Sequence, residues 1–235
     1  MKLLCYNCRG LGSMRAVRSL KSLLRQAFPH VMFLMETCQL CDENEKTRLE
    51  IGYKNGKSWP TDTSNGGRAG GLSIWWNDEV QITVMDHSQH HIDDKVVDEL
   101  AGEWRFTGVY GWPEGIEKER TWHLLRQLAE QWTGPWLCGG DLNQVLSDFE
   151  KKGGNLVAEE EMRAFSDCLV DVGLQDMGFS GYPYTWENRR RSGGYIEERL
   201  DRFLANEGWR KMWPNARVSH LGSTRSDHQP ILCES

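Results

Sequence analysis

The sequence has no run of apolar residues that approaches the length of a membrane-spanning helix, and it has no internal repeat or low-complexity segment. Its first residues, M-K-L-L-C-Y-N-C, are too short and too polar a stretch for a signal peptide. These absences argue against a membrane-embedded protein and against a repeat protein. They predict a chain that works without a membrane partner.

The chain also lacks the excess of positive charge with which many proteins hold nucleic acid, because its formal net charge is −6. An acidic chain can still bind a phosphodiester locally through a metal ion. The seven cysteines are an odd number, which suits a reducing, intracellular compartment better than a disulfide framework. The length of 235 residues predicts one large domain that spans residues 1–235.

The stretch Pro135–Asn143, P-W-L-C-G-G-D-L-N, is the clearest candidate for part of a site. Trp136–Cys138 is a short apolar run typical of a buried strand, and two glycines end it. Strands of this kind deliver polar groups to the rim of a sheet, where sites usually form. Asp141 and Asn143 are two positions apart, so extended backbone would direct both side chains to one side. A plain Gly-Gly-Asp turn is the alternative interpretation.

A strand, a helix and a second strand are predicted at the start of the chain. Leu3–Tyr6 and Val31–Met35 are apolar runs, and the apolar residues between them recur at helical spacing. A helical crossover makes the two strands parallel, so both strands end at the same edge of a sheet. Asn7 and Glu36, which follow the two strands, are therefore expected to lie side by side.

Two other patterns could indicate a metal site. Paired Cys-x-x-Cys spacing, at Cys5/Cys8 and Cys38/Cys41, is normally a zinc signal, but Cys5 belongs to the first strand and lacks the turn that zinc requires. The thiols are therefore predicted to pack in the core. The segment His90–Asp94 carries side chains that can bind metals, and a solvated hairpin is the favoured interpretation of it.

A β-hairpin is predicted in the last quarter of the chain. Tyr182–Trp186 is typical of an aromatic strand, Glu187–Gly194 is a basic loop, and Tyr195–Leu204 returns as a second strand. A run of charge is usually a solvated surface, although arginines beside aromatic residues also suit a nucleic-acid groove. Both interpretations of the loop remain open at this point.

Six motifs occur along the chain in a fixed order. They are Asn7, Glu36, Tyr110, Gly140–Asn143 (G-D-L-N), Arg199–Phe203 (R-L-D-R-F) and Ser226–His228 (S-D-H). Together they resemble the motifs of the endonuclease/exonuclease/phosphatase superfamily. The opening N-C-R-G-L-G and the stretches L-M-E-T, G-G-L-S-I-W-W and Y-T-W-E-N are most similar to the endonuclease domain of plant LINE-type (non-LTR) retrotransposons. The resemblance covers Leu3–Leu232. It implies a DNase I-like α/β fold, a four-layer sandwich in which two mixed β-sheets pack face to face between helices.

The resemblance also implies a divalent metal ion, usually Mg²⁺, with Mn²⁺ as a substitute. Mg²⁺ prefers hard oxygen ligands and keeps several waters, so few protein ligands suffice. By resemblance Glu36 is the first choice of ligand, with Asn7 beside it and Asp227 as a further candidate.

The resemblance assigns the chemical step to a second set of residues. Asp141 would position or deprotonate the attacking water, and Asn143 would help to orient the water or the phosphate. His228 would hydrogen-bond a phosphate oxygen or serve as the base, with Asp201 orienting its ring. Tyr110 would donate to the phosphate or help the leaving oxygen. The division of roles between Asp141 and His228 stays open.

One position departs from the apurinic-site enzymes of the superfamily, which carry an Asp two residues after the first Asn. Arg9 stands in that place here, which weakens the case for abasic-site repair and is compatible with the retrotransposon-type pattern. Arg189, Arg190 and Arg191 lie at the tip of the predicted hairpin. The matching hairpin of retrotransposon endonucleases helps to select the nicking site, so these arginines are predicted to bind DNA.

The sequence therefore predicts a Mg²⁺-dependent phosphodiester hydrolase, a DNA endonuclease that nicks target DNA for a LINE-type retroelement in the nucleus. Because the chain stops soon after its last motif, a reverse transcriptase is expected downstream in the same polypeptide. Two alternatives remain open. One is a relative that hydrolyses RNA or phosphoinositides, and the other is a domesticated element that binds nucleic acid without catalysis.

Overall fold

Apolar side chains occupy both faces of the central strands, so each strand has to be covered on two sides. In the computed structural model, which describes residues 1–63, 67–98, 101–190, 193–222 and 225–235, the first strand shows this clearly. Leu3 and Cys5 belong to one core, while Leu4 and Tyr6 belong to another. Successive side chains of a strand point to opposite faces, so a strand with two buried faces lies in the middle of a layered structure.

The elements follow one another as strands with helices between them. The strands are Lys2–Asn7 (β1), Val31–Met35 (β2), Asn55–Trp59 (β3), Leu72–Trp76 (β4), Gln81–His87 (β5), His91–Asp98 (β6), Gly102–Tyr110 (β7), Trp136–Asp141 (β8), Lys151–Lys152 (β9), Leu174–Asp176 (β10), Trp186–Glu187 (β11), Glu197–Glu198 (β12), Asp201–Asn206 (β13), Arg217–His220 (β14) and Ile231–Glu234 (β15). The helices are Met14–Ala27 (α1), Cys41–Ile51 (α2), Glu119–Glu130 (α3), Glu159–Asp171 (α4) and Glu207–Met212 (α5), with 3-10 turns at Gly115–Lys118 and Asp148–Glu150. None of the helices in the described ranges is long and apolar enough to cross a membrane.

Most of the strands form two six-stranded sheets. Their strand orders are β14-β15-β1-β2-β4-β3 and β10-β13-β8-β7-β6-β5, and a small third sheet has the order β11-β12-β9. Each large sheet is mixed, with one parallel pair among antiparallel neighbours: β1 with β2 in the first sheet and β7 with β8 in the second. These two parallel pairs occupy the middle positions of their sheets, so the strands of each pair have a neighbouring strand on both sides.

The two sheets pack face to face, and helices cover their outer faces. The core between the sheets contains Phe33 from the first sheet and Phe106 and Phe203 from the second, and the rings of Phe33 and Phe106 meet edge to face. Helix α1 covers the outer face of the first sheet through Leu20. Helices α3 and α4 cover the second sheet, where Phe165 stacks on another aromatic ring of that layer. The predicted four-layer α/β sandwich is therefore confirmed.

The predictions for the hairpin and for the segment His90–Asp94 were both wrong. The predicted hairpin is much shorter than expected, because β11 and β12 pair over only two residues each. The returning segment then leaves the hairpin and joins the second sheet at Asp201, as Arg199 turns inward to Glu150 and Asp176. The segment His90–Asp94 is not a solvated hairpin. From its second residue onward it forms the buried start of β6, because Ile92 packs in the core between the sheets.

Candidate active site

The site lies at the ends of the strands, where the side chains that point into the gap between the two sheets change from apolar to polar. In β1 this column of side chains runs from Leu3 and Cys5 to Asn7, and in β8 it runs from Leu137 to Asp141. Each column ends at the same rim of the gap between the sheets, because β1 and β8 lie against each other across that gap. Alternation along the strands thus places Asn7 and Asp141 in one polar cluster at the end of the apolar core.

Backbone hydrogen bonds fasten the two chain segments that leave β1 and β2. Cys8 N donates to Met35 O at 3.0 Å, and Gly10 N donates to Glu36 O at 2.7 Å. Arg9 and Glu36 both have positive φ angles, 48° and 51°. Side-chain-bearing residues adopt this left-handed conformation at a cost of roughly 1–3 kcal/mol, and such strain is concentrated at functional sites. The strained backbone sets Arg9 directly beside Glu36.

Two glycines allow β8 to carry Asp141 into this position. A Cβ atom at Gly139 would lie 2.5 Å from the ring of Phe203, and one at Gly140 would lie 2.1 Å from the carbonyl oxygen of Val109. Gly140 also has a φ of +141°, which residues with side chains rarely adopt. Close packing of β8 against its neighbours therefore requires the two glycines. The alternative interpretation of a plain Gly-Gly-Asp turn does not apply, because both glycines belong to the strand.

The side-chain amide of Asn7 joins the parts of the cluster. Its Nδ2 atom donates to Glu36 Oε1 at 2.9 Å and to Asp141 Oδ2 at 3.0 Å. His228 Nε2 lies 3.5 Å from the same nitrogen, and the amide has no third proton to donate to it. Nε2 of His228 is therefore left available for another partner at the site.

His228 lies between two buried carboxylates. Its Nδ1 is 2.9 Å from Asp201 Oδ2, and its Nε2 is 3.7 Å from Asp141 Oδ2. Burial alone would lower the pKa of His228, but the charges of Asp201 and Asp141 raise it above its ordinary value. Burial raises the pKa of Asp141, which the charge of His228 only partly offsets. The three groups therefore form a proton-sharing arrangement, with the His228 ring fixed by Asp201.

Glu36 is surrounded by donors. Arg9 Nη1 donates to Glu36 Oε2 at 2.8 Å, and the Tyr110 hydroxyl donates to Glu36 Oε1 at 2.8 Å. Burial by itself would raise the pKa of the Glu36 carboxyl, but hydrogen bonds from Arg9 and Asn7 lower it below its ordinary value. Burial, followed by the nearby negative charges, raises the pKa of the Tyr110 hydroxyl, so the hydroxyl keeps its proton.

Asp227 completes the acidic side of the cluster. Arg9 Nε donates to Asp227 Oδ1 at 2.9 Å, so one guanidinium group bridges the carboxylates of Glu36 and Asp227. Trp186 Nε1 also donates to Asp227, to Oδ2 at 3.2 Å. Burial would raise the pKa of Asp227, but the hydrogen bond from Arg9 lowers it. Both carboxylates are therefore ionised at neutral pH.

The donor set around Glu36 fits a Mg²⁺ ion. Glu36 and Asp227 offer carboxylate oxygens, which are the hard ligands that Mg²⁺ prefers. The Asn7 amide turns its nitrogen to Glu36, so its oxygen would join them only after a rotation of the amide. The Arg9 guanidinium bridges the two carboxylates, and a Mg²⁺ ion bound there would take its place. A second group, Asp141, Asp201 and His228, has candidate ligand atoms within 4.8 Å of one another. That group is engaged in its own hydrogen bond and contains an imidazole nitrogen, so it suits Mg²⁺ less well.

Asn143 reaches its place by a different route from the one predicted. Strand β8 ends at Asp141 and Asn143 has a φ of 52°, so the expectation of extended backbone was wrong. The backbone N–H of Asn143 donates to Asp141 Oδ1 at 3.0 Å, and its side-chain Nδ2 donates to Gly111 O at 2.8 Å. Asn143 therefore fixes the Asp141 carboxylate through its backbone, while its side chain is tied to the end of β7.

The arginines of the hairpin tip make no hydrogen bond to the carboxylates of this cluster among the described residues, although Arg189 lines a cavity together with Arg9 and Asp227. Arg189 and Arg190 are exposed, and the Arg189 guanidinium donates to the carbonyl oxygen of Arg225. Arg191 lies outside the described residues.

Four residues that sequence reasoning did not assign to the site hold it in place. Ser226 Oγ donates to Asn7 O at 2.7 Å and accepts from His228 N at 3.1 Å, which fastens the His228 turn to β1. Thr185 Oγ1 accepts from Asp201 N at 2.9 Å. The other two are Arg9 and Trp186, whose contacts are given above. Ser226 was within a recognised motif and Arg9 was noted only as a departure. Their contacts join segments far apart in the chain, which local patterns do not reveal.

Comparison with known proteins places this geometry in context. The model of a family described as "Endonuclease/Exonuclease/phosphatase family" matches residues 4–228. The 3′ phosphatase NExo from Neisseria, bound to a product DNA hairpin, is 18% identical with a TM-score of 0.71, over 100% of this chain and 98% of that chain. The endonuclease domain of TRAS1, a telomere-specific non-LTR retrotransposon, is 13% identical with a TM-score of 0.72, over 99% of this chain and 97% of that chain.

The AP endonuclease LMAP from Leishmania major gives a similar result, with 16% identity and a TM-score of 0.72, over 99% of this chain and 86% of that chain. At these identities the likeness is one of fold. None of the curated proteins matches the chain in sequence.

Proposed function

The chain belongs to the endonuclease/exonuclease/phosphatase family, and from this premise we propose that it is a Mg²⁺-dependent DNA endonuclease that nicks target DNA for a LINE-type retroelement. The observation that carries the proposal is the position of the Asn7 amide. It hydrogen-bonds both Glu36 and Asp141, so a single side chain links the acidic ligand set to the proton-sharing group. A phosphodiester bound there meets both sets of residues at once.

Glu36, Asn7 and Asp227 would hold the Mg²⁺ ion, which when bound would neutralise negative charge on the phosphate oxygens. Asp141 accepts a proton from the attacking water, since its carboxylate is buried and held on two sides by Asn7 and Asn143. The support for this role is positional, because these hydrogen bonds leave the carboxylate little freedom to turn away from the water. Asn143 assists by holding Asp141 in this orientation.

His228 donates a hydrogen bond from Nε2 to a non-bridging phosphate oxygen. Asp201 accepts from Nδ1 on the other side of the ring, which fixes the orientation of the imidazole and stabilises its charged form. Tyr110 donates its hydroxyl proton toward Glu36 in the structure, and the same hydroxyl is placed to donate to the phosphate or to the leaving oxygen. This division assigns the base to Asp141 and the anion contact to His228.

The choice of DNA and of a retroelement rests on the sequence motifs and on the likeness in fold to a retrotransposon endonuclease domain. The exposed Arg189 and Arg190 at the hairpin tip support DNA as the partner, and Arg191 belongs to the same predicted set. Under this proposal the enzyme acts in the nucleus together with a reverse transcriptase, joined to it in one polypeptide. Mn²⁺ substitutes for Mg²⁺, because the ligands are the same hard oxygens.

The experiment that tests this function measures nicking of supercoiled plasmid with and without Mg²⁺. We expect wild-type protein to convert the plasmid to open circles only when the metal is present. Glu36→Gln should abolish nicking and weaken Mn²⁺ binding measured by electron paramagnetic resonance, because it removes a charged ligand while keeping the size of the side chain.

The matched control is Glu160→Gln, which removes the same charge from an exposed position in the first turn of α4. Nicking and Mn²⁺ binding should both stay at the wild-type level in the control. Wild-type nicking by Glu36→Gln in millimolar Mg²⁺ would refute the metal assignment. Cleavage of RNA or phosphoinositides but not of plasmid would point to the alternative substrates.

A further inference from the structure

A cavity of about 530 Å³ opens beside Asp227, and most of the side chains that line it are arginines. The lining residues are Arg9, Ser13, Arg15, Arg189, Arg225 and Asp227. Four guanidinium groups face one carboxylate, so the lining carries an excess of positive charge although the whole chain has a formal net charge of −6. We call this cavity the arginine pocket.

Separate segments of the chain build the arginine pocket. Arg9 and Arg15 come from the loop after β1 and from the first turn of α1, Arg189 comes from the hairpin tip, and Arg225 precedes β15. Arg225 connects them, because its Nη1 donates to Gly10 O at 2.9 Å and its carbonyl oxygen accepts from the Arg189 guanidinium. Hydrogen bonds between the segments therefore hold the arginines around one space.

The charge of the pocket is only partly neutralised by the protein. Arg9 is bound to Glu36 and Asp227, and Arg189 lies 3.8 Å from Glu187. The hydrogen bonds of the Arg225 guanidinium within the described part of the chain go to neutral acceptors, Gly10 O and Ser13 Oγ. Arg15 is exposed in the first turn of α1, which has no acidic residue. Ser13, the N-cap of this 14-residue helix, also lines the pocket. The positive end of the helix dipole adds to the attraction for an anion.

We infer that the arginine pocket binds one backbone phosphate of the nucleic-acid strand, next to the bond that is cleaved. The inference rests on the proposed function, and it adds a subsite that fixes the strand. The N–H groups of one guanidinium match the spacing of two phosphate oxygens, so they donate two parallel hydrogen bonds to the phosphate. Asp227 belongs both to the wall of the pocket and to the carboxylate pair that Arg9 bridges. A strand lying across the cluster therefore continues directly into the pocket.

A second cavity, which Asp227 also lines, has a different character and gives the strand a direction. There a cavity of about 350 Å³ is lined by aromatic side chains, including Trp186, and by the carboxylates Glu187 and Glu197. Arg189 and Lys152 pair with these two glutamates, but no arginine or lysine lines this second cavity within the described residues. Its aromatic rings offer faces to a base or a sugar. The neighbouring phosphate thus occupies the arginine side of the cleaved bond, and the acidic side receives uncharged parts of the nucleotide.

The test measures binding of a short DNA duplex by fluorescence anisotropy in EDTA, so that no cleavage occurs, over a range of salt concentrations. Arg15→Gln is the informative variant, because Arg15 is exposed and its loss removes no buried contact. Its matched control is Arg18→Gln, an exposed arginine on the same helix that does not line the pocket. Both variants change the net charge equally, so they separate a local contact from bulk attraction.

We expect Arg15→Gln to weaken binding and to reduce the slope of log K against log salt by about 0.9, the value for one lost phosphate contact on duplex DNA. Arg18→Gln should leave both quantities unchanged. Cleavage assays in Mg²⁺ with a single methylphosphonate beside the nick provide a second measurement. A methylphosphonate on one side of the nick should lower the cleavage rate of the wild type. It should not lower the cleavage rate of Arg15→Gln, which has already lost the contact with that phosphate.

An unchanged salt slope in Arg15→Gln would contradict phosphate binding in the arginine pocket. Equal changes of the slope in the two variants would also contradict it. Neither result would bear on whether the protein nicks DNA. If the wild type fails to nick DNA but the slope still falls only in Arg15→Gln, the proposed function fails and the phosphate subsite stands. Arg225→Gln should reproduce the result of Arg15→Gln, provided that its circular dichroism spectrum matches the wild type.

Discussion

Asp201 and Arg202 are neighbours in β13, yet their side chains enter two different buried networks of charge on opposite faces of the second sheet. Asp201 faces the gap between the sheets and binds His228. Arg202 faces the helical layer, where its two terminal nitrogens bind Glu150 and Asp176 as well as backbone carbonyls. Asp141, Asp201 and His228 are buried, whereas Glu150 and Asp176 are partly exposed, and the charge balance of the two networks differs.

The Arg202 network is balanced. Arg199 and Arg202 face two carboxylates, and hydrogen bonds at 2.7–2.9 Å connect Arg199 to both of them. Burial would raise the pKa values of Glu150 and Asp176, but the arginines lower both below their ordinary values. Every member therefore has one fixed charge state, which is what a structural network requires.

The Asp201 network is unbalanced. Two carboxylates share a single imidazole, and Asp201 Oδ1 has no hydrogen-bond partner among the described residues. Burial raises the pKa of Asp141 to about 7. A buried acid that changes its charge near neutral pH is poorly suited to stabilising a fold and well suited to moving a proton. The comparison predicts that the inner network supports activity and the outer network supports stability.

The largest effect is expected from Asp141→Asn, which alters the inner network alone. A positioned acid or base is typically worth about 10²–10⁴ in rate, so the single-turnover rate of plasmid nicking should fall by that range. Stability should change by no more than about 1–2 kcal/mol, because the neutral amide removes a buried charge and loses one acceptor oxygen. Nicking kinetics and urea denaturation of the same protein measure both quantities.

The matched control for Asp141→Asn is Asp148→Asn, which changes the same charge beyond the end of β8 outside the cluster. Its nicking rate should equal that of the wild type. If Asp141→Asn nicks at the wild-type rate, the inner network has no role in the chemistry, and the contrast between the two networks fails.

A smaller but still large effect is expected from Arg202→Met, which alters the outer network. Removal of one partner leaves uncompensated charge in a buried site, and such changes cost about 3–5 kcal/mol. The folded fraction should keep its nicking rate, because Arg202 faces away from the site. Urea denaturation gives the stability, and the nicking rate corrected for the folded fraction gives the activity.

A double variant that removes one cation and one carboxylate from the outer network tests this prediction more sharply. In Arg202→Met/Glu150→Gln one cation again faces one carboxylate, so the double variant should be less destabilised than the sum of its two single variants. Arg163→Met, at an exposed position in α4, should change stability by less than about 0.5 kcal/mol. A loss in Arg202→Met as small as that of Arg163→Met would show that the outer network does not stabilise the fold.

The last effect is a gradual change of stability with pH, and it concerns a similar contrast within β6. Asp93 is bound by Arg105 Nε at 2.6 Å, whereas neither carboxylate oxygen of its neighbour Asp94 has a hydrogen-bond partner among the described residues. Burial and the charge of Asp93 raise the pKa of Asp94 well above its ordinary value. The folded protein holds Asp94 neutral, while the unfolded chain ionises it above about pH 4.

Because the folded pKa of Asp94 is the higher one, its contribution to stability is fully present below the unfolded pKa and is lost as the pH rises. The loss is about 1.4 kcal/mol per pH unit until the folded pKa is reached. Asp94→Asn should remove this part of the slope of stability against pH in the range just above the unfolded pKa of about 4, measured by urea denaturation. Asp167→Asn, an exposed position in α4, should keep the wild-type slope. Equal slopes in Asp94→Asn and wild type would contradict the prediction.

Much of the fold was determined by the sequence alone. The apolar runs of β1, β2 and β8, and the polar residues directly after them, are local patterns, because alternation and strand ends depend on neighbouring residues. Topology then brought Asn7 and Glu36 together, since a helical crossover aligns the ends of two parallel strands. The six ordered motifs supplied the remaining groups of the cluster, including Asp201 and His228.

The tertiary structure alone decided which of these groups touch and which charges are neutralised. Arg9 was seen in the sequence only as a departure, and the packing of distant loops sets it across Glu36 and Asp227. The predicted long hairpin does not form, and Arg199 instead pairs with two carboxylates that are distant in sequence, Glu150 and Asp176. The arginine pocket has the same origin. Its members come from separate segments, and only the packing of the sheets and loops brings their charges to one place beside the site.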